Sequence, residues 1–233
     1  ERQKKVDRFW ATGELDPQAN VQFGEGGAGT FSDGKLNTLV KDNHGRSRFV
    51  LKTFVEFGAK DDILYESKPH IGTDILVNDV RNMRNEIMEL GGDIRFNSQV
   101  TDLRIENENI SAIQVNHEQW METETIVLAI GHSARDTFRM LLNCNVPMRS
   151  KAFAVGVRME HPQALINENQ YGKNYPNSLP AASYKLTRKV GDERGVYSFC
   201  MCPGGYVVNA SSEEGMTAVN GMSYHARAGE NAN

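Results

Sequence analysis

The apolar residues follow three different rhythms along the chain. Residues 1 to 45 are rich in Gly, Asn and Asp and sustain neither a helical nor a strand period, apart from a short helical pattern at Val6 to Thr12. A long segment of this kind usually serves a site or wraps a ligand. From Arg48 to Phe57, the side chains of Phe49, Val50, Phe54, Val55 and Phe57 suit one helical face, and Gly58 stops it. A second helix is predicted with Asp74 as its cap: Ile75, Val80, Met83, Ile87 and Leu90 recur at helical spacing until Gly91-Gly92.

Beyond Gly92 the period falls to two. Ile94 and Phe96, then Val100, Leu103 and Ile105, then Ile110, Ile113 and Val115, then Trp120 read as short strands divided by Asn and Asp turns. Thr125 to Ile130 reads as a further strand, and its Ile126 to Ile130 part is a continuous apolar run, the pattern of a strand buried on both faces of a parallel sheet. It leads through Gly131-His132 to Ser133, read as the cap of a helix holding Phe138, Leu141 and Leu142. After Cys144 the texture is β-rich, with strands predicted at 152–159, 181–186, 195–199, 206–210 and 217–220 and a short helix at 162–169. These elements predict an α/β, mixed α+β fold, divided between Val146 and Lys151 into parts 1–145 and 146–233.

Composition narrows the classes of function. With 233 residues and 39% hydrophobic content, the chain can support one large core or two modest ones. The formal net charge is -4, without clustered Lys and Arg, so nucleic acid is not an expected partner. No apolar stretch approaches the ~18 residues of a membrane helix and no signal-peptide pattern follows the basic start, so no membrane is expected and a cytoplasmic location follows by default. Cys144, Cys200 and Cys202 are too sparse and odd in number for a disulfide framework and fit a reducing compartment. The chain opens on Glu1-Arg2 and stops at residues 229–233, where no helix or strand is expected to tie it down, and so reads as an interior piece of a longer protein.

Five glycines fall between Gly24 and Gly34, in FGEGGAGTFSDGKL. Such a backbone leaves its amides uncovered and can press against a flat ring or cradle a pyrophosphate; a flexible hairpin is the alternative. It is neither a P-loop, lacking the GKS or GKT ending, nor the dinucleotide fingerprint, lacking the preceding strand. In LAIGHSARD, the Gly after a buried strand would set amides and a helix dipole beside a ligand at the sheet's carboxyl edge. Gly131-His132-Ser133 also resembles the start of a hydrolase nucleophile elbow, but Arg135 stands where the second Gly is needed. Lys68 to Asp74 gathers a Lys, a His and a Gly just before a helix. Cys200 and Cys202, on a strand, would point to opposite faces, so a disulfide or metal chelate is not expected and the thiols read as buried and inert.

Taken in order, FGEGGAGTFSDGKL, KPHIGTD, LAIGHSARDTF, KAFAVGVRMEHP, YSFCMCPGGYVV and NGMSYHAR resemble the bacterial family of uncharacterised FAD-dependent, or NAD(FAD)-utilising, dehydrogenases over nearly the whole chain. The resemblance implies part of a Rossmann-like FAD-binding domain, its first GxGxxG turn lying upstream, with a β-rich inserted domain after residue 146 that covers the flavin and shapes a small-molecule substrate pocket. It also implies that Glu1 binds the adenosine ribose, that Gly26, Gly27, Ala28, Gly29, Thr30 and Ser32 line the pyrophosphate and flavin, that Val100 meets the adenine through its backbone, and that Ala129, Gly131 and His132 form a late FAD contact.

The function expected is that of an FAD-dependent oxidoreductase, with NAD(P)H as candidate electron donor. Lys35 is the first candidate for stabilising a reduced flavin anion, His132 the second, and His70 and Ser32 are further polar candidates for the flavin face. The alternatives are a flavin-binding protein with little turnover and a serine hydrolase acting through Ser133. With the first phosphate-binding turn upstream, this chain alone is expected to hold FAD weakly or not at all.

Overall fold

The computed structural model describes residues 1–38, 41–191, 194–199 and 201–233. In chain order these form α1 (Arg2–Thr12), a 3-10 turn at Gly27–Phe31, α2 (Arg46–Phe57), a 3-10 turn at Asp61–Leu64, α3 (Thr73–Glu89), β1 (Val100–Glu106), β2 (Asn109–Val115), β3 (Gln119–Glu122) and α4 (Arg135–Asn143). There follow β4 (His161–Pro162), α5 (Gln163–Tyr171), β5 (Thr187–Val190), β6 (Arg194–Tyr197), β7 (Tyr206–Asn209), β8 (Val219–Met222) and β9 (Asn231–Ala232). The described strands form small antiparallel sheets, β1-β2-β3 and the pairs β4-β9, β5-β6 and β7-β8. The class is mixed α and β.

Two compact units result, one built from Glu1–Glu89 together with Val157–Asn233, the other from Leu90–Gly156. This grouping is discontinuous in sequence, unlike a single division at 146–151. In the discontinuous unit, one core joins Val6 of α1 and Val21 and Phe31 of the glycine-rich segment to Val208, Ala210 and Met222 of the β7-β8 region. A second joins Ala59, Ile63 and Ile71, with Leu51, Phe54 and Val55 of α2 and Ile75 and Leu76 of α3 packed around them. In the other unit the three-stranded meander is steered by its turns. Asn107 and Glu108 take φ of 50° and 64°, the left-handed geometry that a two-residue hairpin between Glu106 and Asn109 requires. Cys144, after α4, donates its thiol to Asp102 Oδ1 at 3.1 Å, and burial together with that carboxylate raises its pKa, the condition of an inert thiol.

Several expectations are corrected. Thr125 to Ile130 is not a strand: it pairs with no described strand, and Val127 and Leu128 are 86% and 50% exposed. Unbroken apolar character records a demand for burial, but a strand also needs a neighbour for its N–H and C=O groups, and the described residues supply none here. The segment 152–159 is likewise unpaired, with Phe153, Val155, Val157 and Met159 exposed; pairing starts only at His161. Residues 181–186 precede the hairpin that begins at Thr187, and Ile94 and Phe96 lie in irregular chain. Ser133 does not cap α4: Ala134 holds that position, without a side-chain cap. Nor does Asp74 stand before its helix. α3 starts at Thr73, and Asp74 Oδ1 accepts instead from the His225 amide at 2.9 Å. Finally, the last residues are tied down, because β9 pairs with β4 and Asn233 exchanges backbone hydrogen bonds with Cys202 at 2.7 and 3.2 Å.

Candidate functional site

Three segments far apart in sequence are woven together in the discontinuous unit. Lys35 and His70 form an isolated antiparallel bridge, and the Leu36, Ile71 and Gly72 amides donate to Pro69, Gly34 and Asp33 at 3.0, 3.0 and 3.2 Å. The third segment, residues 220–227, crosses both. Asn220 Nδ2 donates to Phe31 O at 3.0 Å and the Thr73 amide to Ser223 O at 3.2 Å. The crossing is so close that a Cβ on Gly72, whose φ is +86°, would lie 2.3 Å from the His225 nitrogen. Only glycine permits that approach.

Asp33 is the centre of this weave. Its carboxylate is 2% exposed and accepts from Ser223 Oγ, from Arg227 Nε at 3.0 Å and Nη2, and from Lys35 Nζ at 2.8 Å. Burial alone would raise its pKa, yet the Arg227 hydrogen bonds, the Lys35 charge and hydrogen bond and the Ser223 hydroxyl together bring it down to about 2. Two cations thus converge on one carboxylate. Lys35 Nζ also donates to Met201 O at 2.6 Å and lies 3.7 Å from Cys202 Sγ, which receives Arg158 Nη2 at 3.4 Å. Cys200 lies outside the described residues, so the expected opposition of the two thiols concerns Cys202 alone, which is buried but not on a strand.

Beside this cluster the His70 and His225 rings stack with centroids 5.0 Å apart and planes at 12°. His70 Nε2 pairs with His225 O at 3.0 Å, His225 Nδ1 with Ile71 O at 3.1 Å, and His225 Nε2 lies 3.4 Å from Asp62 Oδ2. Burial lowers the His70 pKa, and the hydrogen bond that Nε2 donates to the His225 carbonyl opposes that effect only in part. His70 is therefore a neutral imidazole at pH 7.

The sequence-expected residues fall into two groups. Gly26, Gly27, Ala28, Gly29, Thr30, Ser32, Lys35 and His70 share the discontinuous unit, as does Glu1, the exposed N-cap residue of α1, which makes no side-chain cap hydrogen bond. Ser32 Oγ is engaged locally, donating to Gly29 O at 2.8 Å and accepting from the Gly34 amide at 3.0 Å. The outer side of the loop is open at Gly27, where a Cβ would meet no atom within 4 Å. Val100, Ala129, Gly131 and His132 belong to the other unit: Val100 opposite Val115 in the meander, Ala129 exposed, Gly131 at φ 72°, and the His132 ring 6.2 Å from Phe153. Ser133 Oγ has no histidine or carboxylate partner among the described residues, so the serine-hydrolase constellation is not assembled.

Asp33, Ser223, His225 and Arg227 were not expected as site residues. Asp33 stands inside the glycine-rich motif, and a lone acid there next to Lys35 was the available signal; the other three sit about 190 positions away, beyond any local pattern. An open cavity of about 640 Å³, lined by Phe9, Glu14, Asn209, Glu213 and Met216 among others, includes none of the expected site residues. Among the described residues no three His, Cys, Asp or Glu side chains group as metal ligands, and no helix is long and apolar enough to cross a membrane.

Residues 152–233, the part that contributes Ser223, His225 and Arg227, match the family described as "FAD-dependent protein, C-terminal domain-like". Over 234 aligned residues the chain is 54% identical to an "Uncharacterized protein" of Clostridium beijerinckii (strain ATCC 51743 / NCIMB 8052). The alignment covers 100% of this chain and 43% of that protein, so the chain spans less than half the length of this relative.

Proposed function

We propose that the full-length protein is an FAD-dependent oxidoreductase that acts on a small-molecule substrate, with NAD(P)H as electron donor. The observation that carries this reading is the family match at residues 152–233, whose Ser223, His225 and Arg227 meet the Gly24–Leu36 and Lys68–Asp74 segments in one compact unit. FAD, when bound, supplies two-electron redox chemistry.

The residues present suit such a group. A Cβ on Gly27 would meet no atom within 4 Å, so the loop is open at that point, and the Arg2 guanidinium donates to the Gly27 carbonyl at 2.8 Å. On this reading Gly26 to Ser32 line the cofactor and Glu1 takes its ribose. Lys35, held by Asp33, gives the site a fixed positive charge that favours a reduced flavin anion. Val100, Ala129, Gly131 and His132 remain proposed FAD contacts, and His70, neutral and stacked on His225, serves as a hydrogen-bonding group. A Rossmann-like domain completed by further chain, in a cytoplasmic bacterial protein with neither membrane nor nucleic-acid partners, belongs to the same proposal.

The test is flavin absorbance per mole of purified full-length protein, followed by anaerobic mixing with NADH or NADPH. Stoichiometric flavin that bleaches on mixing is expected. Protein without flavin counts against the whole reading, and flavin that is not reduced by any nicotinamide favours the alternative, a flavin-binding protein with little turnover.

A further inference from the structure

Arg2 opens α1, but its side chain leaves the helix and enters the glycine-rich loop. Nε donates to Asn20 O at 2.8 Å; Nη1 donates to Glu25 O at 2.7 Å and Thr30 Oγ1 at 3.2 Å; Nη2 donates to Val21 O at 2.7 Å and Gly27 O at 2.8 Å. A guanidinium has five N–H donors, and here five acceptors meet it, none of them a carboxylate. Its carbon also lies 4.9 Å from the centre of the Phe31 ring. Burial lowers its pKa to about 10, against the pull of the Glu25 charge, so it remains a cation at pH 7. The Glu25 carboxylate is itself held by Arg84 at 2.8 Å. Gly24 is glycine because of this side chain, since a Cβ there would come within 2.5 Å of Arg2 Cδ.

The clamp has a consequence for the opposite side of the loop. In a trans peptide the C=O of one residue and the N–H of the next point in opposite directions. Turning the Glu25 and Gly27 carbonyls inward to Arg2 therefore turns the Gly26 and Ala28 amides outward, at two exposed positions. Outward amides with a cation behind them suit an anion.

We propose that Arg2 is a positioning residue for the cofactor, fixing the loop from behind so that the Gly26 and Ala28 amides face the FAD pyrophosphate. The proposal rests on the FAD reading above. Arg2 touches no cofactor atom; it acts through the peptides it holds.

The test compares full-length wild type with Arg2→Lys and Arg2→Gln. Amide hydrogen exchange of the apo proteins over residues 20–31 reports the loop, and FAD titration by fluorescence quenching at several salt concentrations reports the site. Lysine keeps the charge but offers three donors in place of five. Both variants are expected to exchange faster over 20–31 and to bind FAD at least tenfold more weakly, while only Arg2→Gln shows a reduced salt dependence of binding, which loss of structure alone would not separate from Arg2→Lys. Wild type that binds FAD, with both variants within twofold of it, overturns the role of Arg2 and leaves the FAD reading standing. Wild type that takes up no added FAD overturns the FAD reading and the positioning role with it.

Discussion

Asp33 and Asp79 are both removed from water, at 2% and 0% exposure, yet they end in opposite states. Around Asp33, Arg227, Lys35 and Ser223 supply donors on every side, and the carboxylate stays ionised down to about pH 2. Asp79 sits midway along α3, where neither of its oxygens finds a hydrogen-bond partner among the described residues, and burial raises its pKa to about 6. Burial is common to the two, so the partners decide the charge. The Asp33 cluster holds together because its buried carboxylate is satisfied, whereas the middle of α3 tolerates an acid best when that acid is neutral.

The largest effect should come from Asp33→Asn, which leaves the Arg227 and Lys35 side chains without their shared anion. A loss of about 4 kcal/mol in urea unfolding is expected. The depressed pKa adds a pH signature: the contribution of Asp33 is intact above pH 3.8 and is lost as pH falls through about 2, a dependence the variant should lack. A loss below about 1 kcal/mol would mean that the cluster holds no more firmly than a surface ion pair.

Next in size is Gly72→Ala, with about 3 kcal/mol lost, because its Cβ would press on the His225 backbone at a left-handed φ. Gly29→Ala is its control. There the Cβ would sit 3.6 Å from Leu76 Cδ2, an ordinary contact, and the change in midpoint should stay within about 0.5 kcal/mol.

Asp79→Asn should act in the opposite sense and stabilise the protein at pH 7 by about 2 kcal/mol. With a folded pKa raised above its unfolded value, Asp79 contributes fully below pH 3.8, and that contribution is lost as pH rises through about 6. The two proteins should therefore converge in stability near pH 3 and separate toward pH 7. Equal stability at both pH values would mean that burial does not perturb the Asp79 carboxyl, and a variant less stable than wild type at pH 7 would place Asp79 in the same satisfied class as Asp33. The smallest effect is expected for Ser133→Ala, within about 0.5 kcal/mol by thermal denaturation, since Ser133 does not cap α4.

The sequence told most where structure is local. Phe54 and Val55 of α2 and Ile75 of α3 do face a core, while Phe49, Val50, Ile87 and Leu90 of the same expected faces are exposed, and the turns at Asn107 and Asn116 do divide antiparallel strands. The one charged residue fully buried on α3, Asp79, interrupts the apolar face in a way periodicity did not foresee. Thr125 to Ile130 was misread because an apolar run says nothing of which strand will pair with it. In the candidate site, Lys35 and His70 were found by residue type and prove to be neighbours. Asp33 was passed over in favour of the glycines around it, and Arg227 and Ser223 reach it only through the tertiary fold. Arg2 was overlooked because a basic residue at the start of a helix resembles solvated surface until its five acceptors are seen.

The separation of 190 residues between Asp33 and Ser223 also bears on how the protein is born. A ribosome adding roughly 5 to 20 residues per second takes about ten to forty seconds to cover that distance. Over nearly all of that interval Asp33 and Lys35 have been translated while Ser223 and Arg227 have not. The residues of the 90–156 unit, by contrast, are all available well before Arg227 is added, and its meander closes through neighbours in sequence. A nascent chain should therefore display a protease-resistant 90–156 segment while residues 1–89 are still open to chaperones, and slowing translation after residue 156 should lengthen that exposure.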